Sequence, residues 1–196
     1  MAKDKIKYGL SNCYYAKGTE STQTANVWTY STPVALPGAV SLTLDADGDN
    51  TTFYADNIKY WVGNNNQGYS GSLELALIPD QFKTDCLGEL TSNKQVLLED
   101  VDAALGHFAL LFQFEGDKNH RRHVLYNCTA SRPSLSGSTK ADSIEPQTET
   151  INVSAAGEYN TGLSKTIAKA STMDTTDATT LSTWFTTVYQ ATALSA

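Results

Sequence analysis

The sequence has few charged residues, few cations among them, and only three cysteines. Charged residues make up 18% of the 196 residues, and 21 acidic residues outnumber 14 lysines and arginines, for a net charge of -7. The sequence pI is near 4.8. A protein that binds nucleic acid needs clustered cations to displace counterions from phosphates. The shortage of cations therefore argues against a nucleic-acid-binding protein.

Long apolar runs and cysteine pairs are also missing. No window approaches the roughly eighteen continuous apolar residues of a membrane-spanning helix. The first ten residues, MAKDKIKYGL, lack the apolar run of a signal peptide, so we expect no Sec-type export. Cys13, Cys86 and Cys128 are odd in number and far apart, which fits neither a disulfide framework nor a CxxC pair. The sequence predicts three free thiols, buried or half-buried, and no membrane contact.

The residues that are abundant favour β structure. Hydrophobic residues make up 40% of the chain, and Thr, Ser, Asn and Gly are common. Residues 108–130 predict a long hairpin that reverses within 115–119, where Gly, Asp and Asn favour a tight turn. We predict one mainly β domain over residues 1–196, a two-sheet sandwich or barrel-like fold. The predicted strands are 40–49, 51–62, 71–78, 108–115, 123–130 and 148–155.

Two helices and an N-terminal arm complete the prediction. A short helix follows Pro79, with Phe82 and Cys86 on one face and Gly88 as its stop. A second helix is predicted over 177–190, because its apolar residues recur at helical spacing and Thr176 or Asp177 can cap it. The stripe consists of Leu181, Trp184, Phe185, Val188 and Tyr189. Residues 1–30 are predicted to be an arm or edge strands.

Two motifs resemble known sites only in part. The run DADGDN spaces Asp45, Asp47 and Asp49 as in a calcium loop, but Asn50 stands where an EF-hand needs Gly, which favours a plain acidic turn. The segment GYSGS differs by one residue from a nucleophile elbow around Ser70, and a strand follows it where the elbow needs a helix. No metal, cofactor or catalytic constellation is predicted, and we expect that the protein is not an enzyme.

Several segments, in order along most of the chain, carry a family resemblance. They are PGAVSLTL, YADNIKYWVGNNNQGYSGSLELALIP, FALLFQFEGDKNHRRHVLYNCTASRPS, DSIEPQTETINVSA and TDATTLSTWFTTVY. The second of these is interpreted as two apolar strands around a GNNNQG turn. Together the segments resemble the phage major tail protein family, the tail-tube subunits of long, non-contractile-tailed phages (siphophages).

The resemblance implies a structural virion protein of the phage tail, made in the cytoplasm of the bacterial host. Its subunits would form hexameric rings that stack into a hollow tube through which DNA is delivered without specific binding. Expected partners are other copies of the chain and the tail tip or initiator, tape-measure and tail-terminator proteins. The lumen is expected to carry net negative potential. The subunit or ring contacts are predicted from polar loops and the C-terminal helix: Asp45, Asp47, Asp49, Asn64, Asn65, Asn66, Gln67, Trp184 and Phe185.

The sequence is also compatible with one function of another class. A β-sandwich carbohydrate-binding or adhesin module on a virion would use exposed aromatic side chains to stack on sugars. The candidates for such stacking are Tyr14, Tyr15, Trp28, Tyr60 and Trp61. Formation of rings or tubes at rising protein concentration separates the two functions.

Overall fold

A computed structural model describes residues 6–116, 120–139 and 146–194. The mainly β class with one short and one C-terminal helix is confirmed. The elements in chain order are β1 (Leu10–Glu20), β2 (Trp28–Tyr30), β3 (Val34–Ala35), β4 (Ala39–Asp47), β5 (Asn50–Ala55), β6 (Ile58–Asn64), β7 (Gly68–Leu75), α1 (Asp80–Cys86), β8 (Leu90–Thr91), β9 (Leu97–Leu98), β10 (Phe108–Phe114), β11 (Arg122–Ala130), β12 (Glu149–Ala155), β13 (Glu158–Asn160), β14 (Lys165–Ile167), β15 (Lys169–Ser171) and α2 (Ala178–Thr183).

Nine strands form one antiparallel sheet in the order β2-β1-β10-β11-β12-β7-β4, with β3 beside β1 and β15 beside β11. The sheet curls until β4 approaches β1, which gives a barrel-like shape. The two layers that we predicted as separate sheets are therefore parts of one curled sheet. The strands β5–β6, β8–β9 and β13–β14 form separate two-stranded ribbons.

The N-terminal region differs from the predicted arm. Leu10–Glu20 is an interior strand that pairs with β10 on one side and with β2 and β3 on the other. Tyr15 in this strand is fully buried. Its ring packs edge-on against Phe82, and its hydroxyl donates a 2.9 Å hydrogen bond to Asp85. The two faces of this strand meet different surroundings, so its sequence mixes polar and aromatic residues. This mixture makes the strand difficult to recognise from the sequence.

Both faces of the β1-β10-β11 region are covered, and this divides the core into two clusters. Alternate residues Phe108, Leu110 and Phe112 lie in the larger cluster, inside the curled sheet. The intervening Ala109 and Leu111 lie in the second cluster, which packs against the C-terminal segment. Because side chains alternate along a strand, a strand covered on both faces is apolar at successive positions, as in residues 108–112. Six of the seven β10 residues are accordingly buried.

The short helix after Pro79 is confirmed. α1 covers Asp80–Cys86, and Phe82 and Cys86 are its buried residues. Gly88 follows with φ of +76°, in the left-handed region that glycine adopts without strain. Phe82 contacts Phe108 at 5.3 Å between ring centroids, so the helix closes one end of the larger cluster.

The C-terminal helix is shorter than predicted. α2 covers Ala178–Thr183 instead of 177–190, although Asp177 caps it as expected by accepting a 2.8 Å hydrogen bond from the Thr180 N–H. The Thr183 hydroxyl donates to the Thr179 carbonyl, and the Thr186 hydroxyl donates to the Thr183 carbonyl. Threonine hydroxyls that bond nearby carbonyls compete with regular helix formation. Tight turns therefore follow Thr183.

The predicted strand 51–62 is a hairpin. It reverses at Asp56 and Asn57, whose positive φ angles of 50° and 61° are those of a tight β-turn. β5 pairs with β6 and β4 pairs with β7, so GNNNQG does not join two paired strands. The 108–130 hairpin is confirmed as β10 and β11, while residues 117–119 of its turn lie outside the described residues.

The three cysteines are free and buried, as predicted. Burial raises the pKa of the Cys13 thiol to about 11 and that of Cys128 to about 12. Because the thiolate is the reactive form, we expect no reaction with Ellman's reagent in the folded protein at about pH 8. All three thiols should react in guanidinium chloride. A thiol that reacts before unfolding would contradict the burial described here.

Candidate functional site

The ribbon formed by β5 and β6 exposes a large apolar surface. Its aromatic and aliphatic side chains are 50–69% exposed. The two strands continue the β4–β7 pair beyond the sheet, since Asp47 pairs with Gly68 and Asn50 with Asn64. At about 3.3 Å per residue, strands of six or seven residues extend the pair by roughly 20 Å. The exposed residues are Phe53, Tyr54, Ile58, Tyr60, Trp61 and Val62.

Local packing shapes one face of this ribbon. Phe53 lies opposite Trp61 on the neighbouring strand. The Trp61 indole lies over Gly63, where a Cβ atom would stand 2.2 Å from the ring. A glycine at 63 therefore lets the indole lie flat along the ribbon, and the face presents two adjacent aromatic rings to its surroundings.

The predicted polar contact residues lie where the ribbon meets the sheet. Asn64 ends β6, and Asn65, Asn66 and Gln67 link it to β7. The Gln67 N–H donates to the Asp47 carbonyl at 2.9 Å, and the Asn66 side chain accepts from the Gly68 N–H at 3.1 Å. Asn64–Gln67 are exposed. Their contact with a neighbouring subunit stays a prediction.

The acidic residues of DADGDN lie mostly on a strand, and not in a turn. Asp45 and Asp47 alternate along β4 and so point to the same face, while Asp49 follows in the link and Asp56 lies in the ribbon's turn. Ser70 lies in β7, and its hydroxyl donates to Asp47 at 2.7 Å. Within residues 6–116, 120–139 and 146–194, no group of three or more His, Cys, Asp or Glu side chains could hold a metal ion.

Small polar side chains cover the outer face of β4, β7 and β12. Cross-strand rows such as Thr43, Ser72 and Asn152 alternate with core rows such as Leu42, Leu73 and Ile151. Charged residues on these three strands are all acidic, and none of the strands contains Lys or Arg. This surface, the hydroxyl face, is a shallow, negatively charged groove.

Glu74 is held in its ionised form on the hydroxyl face. The Thr148 hydroxyl donates to one of its carboxylate oxygens at 2.6 Å, and the Ser41 hydroxyl donates to the other at 2.7 Å. These two hydrogen bonds lower the pKa of the Glu74 carboxyl, and the bond from Thr148 has the larger effect. Glu74 therefore keeps its negative charge to lower pH than an ordinary glutamate does.

The C-terminal segment is docked on the sheet. Trp184 is 2% exposed and packs with Val188, Leu111 and Tyr126 in the second cluster. Phe185 is partly buried and stacks on Tyr14 at 5.1 Å. Arg122 donates to the Leu181 carbonyl at the end of α2 and lies over the Phe185 ring. These contacts hold the C-terminal segment against the sheet, while contact of Trp184 and Phe185 with another subunit stays a prediction.

A buried polar network joins the C-terminal segment to the sheet, and sequence patterns did not indicate it. Glu158 is 2% exposed, and its carboxylate accepts a 3.2 Å hydrogen bond from Gln190 and one from Tyr30. Gln190 also donates to the Trp28 carbonyl at 3.1 Å. Burial raises the pKa of Glu158 despite these hydrogen bonds.

Glu158 should make folding stability depend on pH. The folded protein binds the proton of the Glu158 carboxyl more tightly than the unfolded chain does. The contribution of Glu158 to folding stability is therefore complete below about pH 4.5 and is lost as pH rises toward the raised pKa. We expect Glu158→Gln to flatten the fall in unfolding free energy over that window. Denaturant unfolding of both proteins from about pH 4 to 8 tests this, and equal pH slopes would contradict it.

Most of the aromatic residues proposed for sugar stacking are not available for it. Tyr15 and Trp28 are buried, and Trp28 stacks on His107 at 4.4 Å between ring centroids. Tyr14 is held against Phe185. Only Tyr60 and Trp61 of the five are exposed large aromatics, and both belong to the ribbon.

Comparison with known proteins found structural similarity only. No family model matches the chain, and no curated protein matches it. The six-fold symmetrised baseplate of the anti-feeding prophage contains a chain with 9% identity and a TM-score of 0.45, over 88% of this chain and 97% of that chain. The tube-terminating cap of the anti-feeding prophage contains one with 12% identity and a TM-score of 0.41, over 85% and 93%. None of the described helices is both long and apolar enough to cross a membrane.

Proposed function

We propose that this protein is the major tail-tube subunit of a siphophage virion. Its copies form hexameric rings, and the rings stack into the hollow tail through which DNA passes. The role is structural and requires no catalytic residue or cofactor. The sequence resemblance to major tail proteins suggests this function, and two surfaces of the subunit support it.

The observation that carries the proposal is the apolar ribbon. A two-stranded hairpin is at best marginally stable in water without further packing. Exposed apolar surfaces of this kind mark sites of protein association. The six exposed side chains on β5 and β6 have no covering element within the described parts of the subunit. Neighbouring subunits in a ring or in the next ring would bury them and protect the ribbon's unpaired edges.

The hydroxyl face supports the second part of the proposal, passage of DNA. A conduit must not bind the phosphates that move through it. The three strands of this face carry Asp45, Asp47 and Glu74 and contain no cation. Like charge repels the DNA backbone, so this face is suited to line the lumen.

Sedimentation velocity over a range of protein concentrations tests the proposal against a monomeric binding module. We expect large species to form as concentration rises, because the ribbon is buried only by association. The tail initiator complex should lower the concentration at which they form. A single monomeric species at all concentrations, with or without the initiator, would favour the binding module.

A further inference from the structure

The two ends of the barrel carry different surfaces. His123 lies near the start of β11, beside β15, and Arg132 lies two residues beyond the end of β11. At about 3.3 Å per residue, these positions are roughly 30 Å apart along the barrel. Arg132 donates to the Asp100 carbonyl at 2.8 Å and pairs with Glu99 at 2.9 Å. The segment around Asp100 is therefore fixed at the end opposite to His123.

A pocket opens at the His123 end of the barrel, and we name it the mouth. It has a volume of about 160 Å³, and its walls include Tyr69, Phe112 and Phe114. Lys7 and Lys169 stand at its edge with their amines over aromatic rings, 4.0 Å from Phe114 and 4.6 Å from Tyr69. Within the described parts of the chain, neither lysine has an acidic partner. The mouth is thus apolar inside and cationic at its edge.

A turn at the opposite end has the complementary composition, and we name it the knob. Asp102 N–H donates to the Asp100 carboxylate at 3.0 Å, and Ala103 N–H donates to the Asp100 carbonyl at 3.3 Å. This turn places Val101 between two aspartates and leaves it 84% exposed. The neighbouring β8–β9 ribbon adds Leu90, Val96 and Leu98 as exposed aliphatic residues. The knob is thus an apolar side chain flanked by two carboxylates.

We infer that the knob of one copy docks into the mouth of the next copy. A pocket of this size is comparable to a cavity of about 150 Å³ that binds benzene, and it is large enough for the Val101 isopropyl group. Asp100 and Asp102 then face Lys7 and Lys169, whose amines have no carboxylate partner among the residues that the structure describes. Charge complementarity and an apolar fit thus select a second copy of this chain as the occupant.

The contact is heterologous, because the two surfaces lie on opposite ends of the same barrel. Heterologous contacts generate rings or open polymers, and not closed two-fold dimers. The inference rests on the proposed tube and assigns its axial contact. It gives the stack a direction, since every knob points the same way, and it leaves the β5–β6 ribbon free for other contacts.

Chemical cross-linking tests the contact directly. A Val101→Cys variant and a Lys169→Cys variant carry tags of different length, so that the mixed dimer is distinguished from either homodimer. The two variants are mixed at assembly concentration and treated with a short bis-maleimide. The native thiols are buried, and the wild-type protein is the control for them. We expect a band for the mixed dimer that is at least tenfold stronger than any band from either variant alone. A dominant Val101→Cys homodimer would overturn the inference, because it requires a two-fold contact.

A charge exchange provides the second arm. Two double variants each reverse the charge on one side of the contact: Lys7→Glu/Lys169→Glu in the mouth and Asp100→Lys/Asp102→Lys in the knob. Each should lower the yield of pelleted polymer at least tenfold, and the variant with all four changes should recover it. Tubes that form without the mixed cross-link and despite either charge change would overturn the knob contact but keep the tube. A mixed cross-link without tubes would support the contact and reject the tube. Absence of both would reject both.

Discussion

Replacing Trp184 with Ala should destabilise the folded subunit by about 3–5 kcal/mol, which lowers Tm by on the order of 10 °C. The indole is fully enclosed in the second cluster and stacks on Tyr189 at 5.4 Å. The threonine-rich segment that carries it cannot stay helical alone, because short helices are marginal in water. The loss of the indole therefore leaves a cavity and releases the C-terminal segment.

Trp61→Ala is the matched control for this prediction. The same side chain is removed, but Trp61 is 55% exposed on the ribbon. Its unfolding free energy should stay within about 0.5 kcal/mol of the wild-type value. Thermal and denaturant unfolding of both variants measure the difference. Equal stability of Trp184→Ala and wild type would mean that the C-terminal segment is not anchored as described.

The second large effect is expected on assembly. Phe53→Ser/Trp61→Ser removes the two adjacent rings from one face of the ribbon, which should abolish polymer at concentrations where the wild type forms it. The fold should remain, because both residues lie outside the two core clusters. Pelleting and circular dichroism measure the two properties separately.

Leu135→Ser/Met173→Ser is the control for the ribbon variant. Both residues are large, apolar and exposed, but neither belongs to β5 or β6. Polymer yield should be that of the wild type, because these side chains belong to no contact assigned here. Normal polymer from the ribbon variant would mean that β5 and β6 do not contribute to assembly.

Local sequence patterns predicted the strands in which each face has the same surroundings along its length. Leu73 and Leu75 alternate with polar residues because one face of β7 is core and the other is solvent. The β10 strand has five successive apolar residues, 108–112, because both its faces are covered. Phe82, Cys86 and Gly88 predicted α1 from helical spacing and a terminal glycine.

Local sequence patterns could not predict the features that depend on tertiary contacts. The Asp56-Asn57 turn lies within a run of β-forming residues, so the hairpin resembled one long strand. Glu158 has an ordinary sequence context, and only the folded chain encloses it between Tyr30 and Gln190. The mouth brings Lys7 near Lys169, and 162 positions separate them in the chain. No local pattern records such proximity.

Cryo-electron microscopy of the purified protein, alone and with a tail initiator complex, tests the central claim most directly. We expect hollow tubes of stacked six-fold rings, with the β5–β6 ribbon at a subunit contact and the hydroxyl face of β4, β7 and β12 lining the lumen. A strict monomer at high concentration that also fails to join the initiator complex would contradict it.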